Sequence, residues 1–340
     1  MTTIIKQRIL VTGANGFIGR NLCIYLEEKG YFIRGAMRNN ISYISEVDEY
    51  IQVGDIDETT DWKKALAGVD TVIHLAGRVH VINDPADNSI EAFRKVNVLG
   101  TERLARMAVK SGVKRFIFMS SVKVNGEGKQ GAYTEKDVPA PQDVYGISKM
   151  EAEQVLTSVA AETGLQVVVL RLPLVYGPGV KANFKSLIKL ANFGLPLPFK
   201  GINNRRSFLY LGNLVDAINT CVTHPLAVGE TFMVSDGQDV STPDLIKMVA
   251  GAMKNRDQVK TRGRVYFSSF RFWKNRNVPC LFYLHLGILK ILCRIVGKTE
   301  ELEKLTGSLL VDSSKIRNLL GWKPPFTMEE GIRETVKGIY

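Results

Sequence analysis

The first half of the chain alternates between short apolar runs and longer stretches in which apolar residues recur at helical spacing. Six runs rich in Val, Ile and Phe predict buried strands, because continuous apolar runs are typical of parallel strands covered on both faces. These strands are Ile9–Val11, Tyr31–Met37, Ile51–Val53, Thr71–Leu75, Phe116–Met119 and Val167–Leu170. The pattern predicts an α/β fold with a doubly wound parallel Rossmann sheet.

The stretches between these strands, and the second half of the chain, predict the domain organisation. The main predicted helices are Phe17–Glu28, Ala92–Lys110 and Val144–Glu162. After Gly177 the pattern changes to short elements separated by loops rich in Pro and Gly. We therefore expect a Rossmann domain over residues 1–176 and a smaller C-terminal substrate domain over residues 177–340. A helix over residues 212–223 is expected to pack on the first domain.

Composition places the chain among globular proteins. Its 340 residues are 45% hydrophobic and 23% charged, which is enough to bury a large core. The apolar run near the N-terminus is too short for a signal peptide and leads directly into a glycine motif, so we expect a cytoplasmic protein. The four cysteines show neither metal-ligand nor disulfide spacing, and we expect no bound metal.

The formal net charge of +11 requires an explanation. Such a charge is typical of proteins that bind nucleic acid, an anionic membrane surface or an anionic substrate. The chain has neither an aromatic-rich basic motif nor zinc-finger spacing, so we expect no nucleic acid partner. An anionic substrate or an anionic membrane surface therefore remains as the explanation of the positive charge.

A glycine-rich turn joins the first predicted strand to the first predicted helix. Its spacing is Gly13-x-x-Gly16-x-x-Gly19. Gly13 allows a tight turn, Gly16 lets the backbone approach a pyrophosphate, and Gly19 lets the helix pack closely. The turn predicts a dinucleotide site, although a glycine pattern alone also fits a purely structural turn.

The end of the second predicted strand bears on the choice of cofactor. An NAD site has a carboxylate there for the ribose 2′-hydroxyl, but this chain has Met37 followed by Arg38. A guanidinium suits a 2′-phosphate, which favours NADP(H), with NAD(H) as the alternative. Arg38 could equally be a solvated surface charge. Asp55 is a candidate for the adenine edge or for a loop cap.

Candidate chemistry centres on Tyr145 and Lys149, which share one face of a predicted helix at i, i+4 spacing. An ammonium beside a phenol lowers the phenol pKa from its usual value of about 10, so Tyr145 could exchange protons with a substrate hydroxyl or carbonyl. Ser120 and Ser121 follow the fifth strand, where ligands of open α/β sheets bind. Asn97 lies in a predicted helix, where a structural role and a water-relay role both fit.

Taken together, these motifs resemble the extended short-chain dehydrogenase/reductase family, and within it the NAD-dependent epimerases, dehydratases and ketoreductases of nucleotide sugars. The matching segments are Thr12–Gly19, Gly54–Asp55, His74–Gly77, Val96–Thr101, Ser120–Ser121, Tyr145–Lys149, Arg171–Gly179, Arg206–Tyr210 and Gly307–Trp322. The resemblance covers nearly the whole chain. It implies a UDP-sugar substrate and a homodimer that pairs through two helices, for which 92–110 and 144–162 are candidates.

The resemblance also assigns site residues. It implies that Ser121, Tyr145 and Lys149 form the catalytic trio, with Ser121 chosen over Ser120 because it stands five residues before Gly126. Ser121 is also assigned to the substrate, together with the candidate ligands of the nucleotide diphosphate, Asn183 and Arg206. The residues assigned to the cofactor are Gly13, Asn15, Gly16, Phe17, Ile18, Gly19, Arg38, Asp55, Ile56, Leu75, Ala76, Gly77, Asn97, Tyr145 and Lys149.

Departures from the family pattern bear on the reaction. Sugar 4,6-dehydratases carry Asp-Glu directly after the catalytic Thr, but here Val122 and Lys123 stand there, which argues against a dehydratase. The 4-epimerases usually have Asn three residues after the position of Arg171. This chain has Leu174 there, which weakens the case for an epimerase.

Two segments, Leu172–Phe184 and Leu305–Leu310, resemble a subgroup in bacterial surface-polysaccharide pathways such as lipopolysaccharide O-antigen synthesis. The subgroup includes reductases of UDP-4-keto-6-deoxy-N-acetylhexosamines that give products of the UDP-N-acetylquinovosamine type, as its UDP-N-acetylquinovosamine dehydrogenases do. We therefore expect an NAD(P)H-dependent 4-ketoreductase, with a UDP-sugar 4-epimerase holding tightly bound NAD as the alternative. The complete catalytic trio argues against a redox-inactive NADP-sensing protein on the same fold.

A basic, apolar stretch over residues 278–298 is interrupted by Pro279, Gly287, Lys290 and Arg294, so a transmembrane helix is not expected. One interpretation is a helix packed over the sugar site. The other is a helix that lies on a membrane surface, contacting anionic lipid or a membrane-bound glycosyltransferase.

Overall fold

The computed structural model describes residues 6–38, 47–79, 89–192, 196–260, 281–295 and 299–338. The strands are β1 (Arg8–Thr12), β2 (Phe32–Met37), β3 (Glu49–Gln52), β4 (Thr71–His74), β5 (Arg115–Ser121), β6 (Ala132–Tyr133), β7 (Gln166–Leu172), β8 (Leu174–Tyr176), β9 (Phe208–Tyr210), β10 (Thr231–Met233) and β11 (Leu310–Val311). The helices are α1 (Phe17–Glu28), α2 (Lys63–Leu66), α3 (Ile90–Arg94), α4 (Gly100–Lys110), α5 (Val144–Thr163), α6 (Ala182–Asn192), α7 (Leu211–Thr223), α8 (Thr242–Lys260), α9 (Leu286–Ile295), α10 (Thr299–Thr306), α11 (Ser314–Leu320) and α12 (Met328–Lys337).

Seven strands form one parallel sheet in the order β10-β7-β5-β4-β1-β2-β3. Every strand predicted from an apolar run overlaps a strand of this sheet, and the predicted fold class is confirmed. The strand order reverses between β1 and β4, which places a crevice at the carboxyl ends of these strands. The short pairs β6–β11 and β8–β9 lie outside the main sheet.

Both faces of the sheet are covered, as the continuous apolar runs predict. Ile9 and Val11 face one core, which they share with residues of α1 and α7. Leu10, which lies between them in β1, faces a second core with residues of α4 and α5. Side chains of a strand alternate between the two faces, so a fully apolar strand needs a helical layer on each side.

The stretch predicted as one helix over 92–110 consists of three pieces. The α3 helix leads into a π-helix over Lys95–Leu99, and α4 follows. Short π-helices inside longer helices often occur at functional sites, because the wider turn redirects side chains. Asn97 lies in the middle of this π-helix.

The second half of the chain returns to the sheet. The β10 strand pairs with β7, and α7 packs on the same sheet face as α1. A carboxylate bridges these parts, since Asp216 of α7 accepts hydrogen bonds from Tyr25 of α1 at 2.6 Å and from Trp322 at 2.9 Å. The boundary between residues 176 and 177 stays a prediction.

A separate apolar cluster holds the rest of the second half together. It joins residues of α6, α8 and α12 around Tyr176 and Phe208. The Tyr176 ring stacks on Phe184, with ring centroids 5.1 Å apart. Its hydroxyl donates a hydrogen bond to Asp236 at 2.9 Å, which ties this core to the end of β10.

Helices α4 and α5, which we expect to mediate dimer formation, lie side by side on one face of the sheet. Arg94 in α3 pairs with Glu151 in α5, and Arg106 in α4 pairs with Glu162. The homodimer itself stays a prediction. Among the described residues, no helix is both long and apolar enough to cross a membrane.

Candidate active site

The glycine turn has the geometry that its sequence predicts. Gly13 adopts a φ of +68°, a region that side chains disfavour, and its amide donates to the Ala36 carbonyl at 3.1 Å. A Cβ built on Gly19 would lie 2.2 Å from the Gly13 oxygen, so α1 packs against the turn only because residue 19 has no side chain.

The N-terminus of α1 opens directly from this turn. Its N-cap is Gly16, which has no side chain with which to cap the first-turn amides of Phe17, Ile18 and Gly19. Amides at a helix N-terminus, together with the helix dipole, favour a phosphate group. These residues therefore fit the pyrophosphate of a dinucleotide.

A second loop, Leu75–Gly77, lies next to the glycine turn and links it to the candidate catalytic residues. A Cβ built on Gly13 would lie 3.2 Å from the Ala76 nitrogen. A Cβ built on Gly77 would lie 3.1 Å from Asn97 Oδ1 and 3.4 Å from Lys149 Nζ. The fold thus brings the predicted cofactor and catalytic residues to one edge of the sheet.

Tyr145 lies in the first turn of α5. The helix is capped by Asp143, whose carboxylate accepts a hydrogen bond from the Gly146 amide at 2.7 Å. The phenol ring lies edge-on to Phe93, with centroids 6.4 Å apart. Its hydroxyl interacts with the side chain of Ser121, which brings two members of the predicted trio together.

The electrostatics of Tyr145 differ from the expectation that Lys149 lowers its pKa. Burial of the phenol, and secondarily the charge of Asp143, raises its pKa to about 12, although the interaction with Ser121 acts in the opposite direction. The Lys149 ammonium donates its hydrogen bond to the Met119 carbonyl at 2.8 Å. Burial therefore dominates the pKa of the phenol, and Lys149 is not among the groups that lower it.

Lys149 is itself held in an unusual environment. Its ammonium lies over the Phe118 ring, 4.4 Å from the centroid. Burial lowers its pKa to about 8, and the charge of Glu153, one turn further along α5, opposes that shift. Lys149 is thus still largely protonated at neutral pH and supplies a buried positive charge close to Gly77.

The two adjacent serines at the end of β5 have different partners. Ser121 contacts Tyr145, whereas Ser120 donates a hydrogen bond to the buried carboxylate of Glu153. Successive side chains of a strand point to opposite sides, which explains the separation. The structure therefore places Ser121, rather than Ser120, beside the phenol.

A buried network of charged and polar side chains, which was not predicted from the sequence, lies behind the catalytic trio. Glu153 forms a buried ion pair with Arg171 at 2.6 Å, and Arg171 also donates to Asn125 Oδ1 at 3.1 Å. One signal could have revealed it, because Tyr145, Lys149 and Glu153 are spaced four residues apart on the same helix face. This network fixes α5 against β5 and β7.

Asn97 connects the Leu75–Gly77 loop to α5. Its Oδ1 accepts a hydrogen bond from the Arg78 amide at 2.7 Å, and its Nδ2 donates to the Arg78 carbonyl at 3.0 Å and to Ser148 Oγ at 2.9 Å. These bonds give Asn97 a structural role. The water-relay role stays a prediction.

His74 is buried directly beneath the site. Its ring nitrogens lie 2.7 Å from Thr12 Oγ1 and 3.0 Å from Thr101 Oγ1. Burial, assisted by the charge of Lys149, lowers its pKa to about 3. A neutral imidazole thus joins the glycine turn to α4, and the Thr12 hydroxyl also accepts a hydrogen bond from the Ala76 amide at 3.1 Å.

The residues predicted for the adenosine end of the cofactor lie at the carboxyl ends of β2 and β3. Arg38 and Asp55 are both exposed and form an ion pair with each other. The carboxylate offsets the charge that would favour a 2′-phosphate, which weakens the argument for NADP(H). Ile56 packs against α4, where a Cβ built on Gly100 would lie 2.5 Å from its Cγ2.

Apart from Ser121, the predicted substrate ligands lie in the second half of the chain. Arg206 is partly buried, and its backbone exchanges two hydrogen bonds with Val240. Burial lowers its pKa, while Glu127 acts in the opposite direction. Asn183 lies in α6, and its side chain is outside the described part of the chain. Among the described residues, no group of three or more His, Cys, Asp or Glu side chains could hold a metal ion.

Comparison with known proteins identifies the family. The model of the NAD dependent epimerase/dehydratase family matches residues 9–235, which is most of the chain. The chain belongs to the NAD dependent epimerase/dehydratase family. A similar curated relative is a UDP-glucose 4-epimerase of Vibrio cholerae, 40% identical, with 97% of this chain and 95% of the relative covered.

Two solved structures extend the comparison. MoeE5, solved in complex with UDP-glucose and NAD, is 25% identical with a TM-score of 0.73, and 98% of both chains is covered. The UDP-N-acetylglucosamine 4-epimerase of Bacillus cereus shares the fold, with a TM-score of 0.75 at 19% identity over 98% of this chain and 99% of that one. The relatives named here are epimerases or hold UDP-glucose, so the ketoreductase expectation gains no support from them.

Proposed function

We propose that the protein is a 4-epimerase of UDP-activated sugars that uses NAD. The observation that carries the proposal is that Ser121 and Tyr145 lie together, beside the buried ammonium of Lys149 and next to the glycine turn. The 40% identical relative named as a UDP-glucose 4-epimerase supports epimerisation over net reduction. This reverses the order of our two expectations from sequence.

The site suits NAD in particular. The amides at the N-terminus of α1 would hold the pyrophosphate, and the Leu75–Gly77 loop with Lys149 would line the nicotinamide end. If Arg38 and Asp55 lie at the adenosine end as predicted, their ion pair would put a carboxylate there, for which a ribose hydroxyl is a better partner than a phosphate. The NAD complex of MoeE5 supports the same choice.

Inversion at C4 of a sugar requires the C4–H bond to be broken and remade on the opposite face, which passes through a ketone. NAD held by the amides at the N-terminus of α1 and by Lys149 would supply the acceptor, and afterwards the donor, of the C4 hydride. Tyr145 would accept the proton of the C4 hydroxyl and later give it back. Ser121 would hold the phenol and the sugar oxygen in line.

The raised pKa of Tyr145 sets a condition on this role. A phenol with a pKa of about 12 stays protonated at neutral pH, so the phenolate that would accept the proton must be stabilised by positive charge in the complete site. Lys149, largely protonated and held by the Met119 carbonyl, would provide part of that charge. Arg206, with Asn183, would bind the diphosphate of the substrate through its planar guanidinium.

Conversion of UDP-glucose to UDP-galactose, followed by the anomeric proton signals in NMR without added reduced cofactor, tests the proposal. Tyr145→Phe should lower kcat by a factor on the order of 100 to 10,000 while NAD stays bound, because the proton carrier alone is removed. Oxidation of NADPH with a UDP-4-keto-6-deoxy-N-acetylhexosamine, without interconversion of UDP-sugars, would instead indicate the ketoreductase.

A further inference from the structure

Exposed apolar side chains concentrate in one short segment of the second half of the chain. The segment over residues 282–291, called here the apolar segment, presents five large hydrophobic residues to solvent. They are Phe282, Tyr283, Leu286, Ile288 and Ile291. Tyr283 is 66% exposed and Ile291 63%, although side chains of this kind stabilise a protein mainly when they are buried. Clusters of this kind mark an interaction surface.

The apolar segment is anchored to the protein. Phe282 exchanges backbone hydrogen bonds with a neighbouring strand-like stretch, since its amide donates to the Leu197 carbonyl at 3.0 Å and its carbonyl accepts from the Lys200 amide at 3.2 Å. In α9, Leu289 is only 7% exposed and packs into the core around Tyr176. One face of α9 therefore fixes the helix, and the opposite face is presented outward.

Basic residues lie on the outward face of α9 and next to it. Lys290 and Arg294 are exposed on α9, and residues 281–295 contain no Asp or Glu. Lys200 is also exposed, directly beside Phe282. Apolar and cationic side chains side by side match the two layers of an anionic bilayer surface, in which acyl chains lie beneath phosphate groups.

We propose that the apolar segment docks the protein onto an anionic phospholipid surface, with α9 lying parallel to the membrane plane. The ten residues of α9 are too few to span a bilayer, so the helix can only lie on it. The net charge of +11 adds a long-range attraction to the same surface. The inference does not rest on the proposed epimerase activity, because it concerns residues outside the candidate active site.

Flotation with phosphatidylglycerol-containing vesicles tests this proposal. We expect the full chain to float with these vesicles at about 0.1 M salt and to float less as salt screens the charges. Lys290→Gln with Arg294→Gln should weaken vesicle binding roughly tenfold or more, because each cation near an anionic surface contributes to binding. Ile288→Glu with Ile291→Glu should weaken it at least as much.

A matched control uses exposed hydrophobic residues that lie elsewhere. Val138→Glu with Leu226→Glu introduces the same charge at exposed positions outside the apolar segment, and should lower vesicle binding far less. Thermal unfolding of all variants checks that they are folded. No flotation of the wild type, or equal losses in the Ile288/Ile291 and Val138/Leu226 variants, would overturn the proposal. Equal binding to purely zwitterionic vesicles would contradict the role of charge.

Discussion

At the residue scale, the site depends on which of two adjacent serines meets the phenol. The family resemblance favours Ser121 by its distance from Gly126, and the structure places Ser121 beside Tyr145 and Ser120 beside Glu153. The alternation of side chains along β5 gives the physical reason. Variants of these two serines can therefore be compared directly, one for its effect on kcat and the other for its effect on the free energy of unfolding.

We predict opposite effects for the two serine variants. Ser121→Ala should lower kcat at least tenfold and cost only about 1 kcal/mol of stability, because it also removes the hydrogen bond that Ser121 Oγ accepts from the Lys123 amide. Ser120→Ala should cost roughly 1.5–3 kcal/mol of stability, because it removes a hydrogen bond to a buried carboxylate, and should largely keep kcat. Steady-state kinetics and urea unfolding of both variants measure this. A larger loss of kcat in Ser120→Ala would contradict the assignment.

His74 gives a prediction for the dependence of stability on pH. Its pKa is about 3 in the folded protein, against about 6.5 in the unfolded chain, so the unfolded chain binds more protons between these values. The free energy of unfolding should therefore fall as the pH is lowered from about 6.5 towards 3. In His74→Gln this contribution should be absent, so the stability difference between wild type and variant should shrink with acidification. A difference that is constant over this range would contradict the buried neutral imidazole.

At the element scale, the strands and α1 are predictable from sequence because local rules decide them. Continuous apolar runs need two covered faces, and Gly13 and Gly19 are required by the turn itself. The π-helix over Lys95–Leu99 is not predictable from local sequence, and its central residue, Asn97, donates hydrogen bonds to Ser148 and Arg78, far away in the chain. The helix propensity of neighbouring residues carries no information on contacts between distant parts of the chain.

The close packing of α1 on the glycine turn leads to a further prediction. In Gly19→Ala the new Cβ would meet the Gly13 oxygen at 2.2 Å, so the turn must move and NAD binding should fall at least tenfold. Gly251→Ala in α8 is the control, because a Cβ there meets nothing within 4 Å and alanine favours a helix. Titration calorimetry with NAD measures both. Equal NAD affinity in the two variants would contradict the role of the turn.

At the scale of the whole molecule, the candidate site is built from parts far apart in sequence. The glycine turn, the Leu75–Gly77 loop, the end of β5 and the start of α5 meet at the carboxyl edge of the sheet. The sequence motifs predicted this meeting, because parallel strands present their carboxyl ends at one edge. They did not predict the raised pKa of Tyr145 or the Arg38–Asp55 pair, which arise from burial and from contacts formed only in the fold.

The two candidate reactions, epimerisation and reduction, also have to be distinguished at the scale of the whole molecule. Both reactions use one trio, so the trio alone does not distinguish them. An epimerase returns the C4 hydrogen to the same substrate molecule, whereas a reductase delivers hydrogen from a cofactor that enters and leaves. The fate of that hydrogen therefore distinguishes the two reactions.

The most direct measurement follows a UDP-glucose molecule deuterated at C4. The account predicts UDP-galactose that keeps the deuterium at C4, with no deuterium in added free cofactor and no net change in reduced nicotinamide. NMR and mass spectrometry of the product would record this. Loss of the label from C4, or turnover only with added NADPH and a 4-keto sugar, would contradict the proposed 4-epimerase.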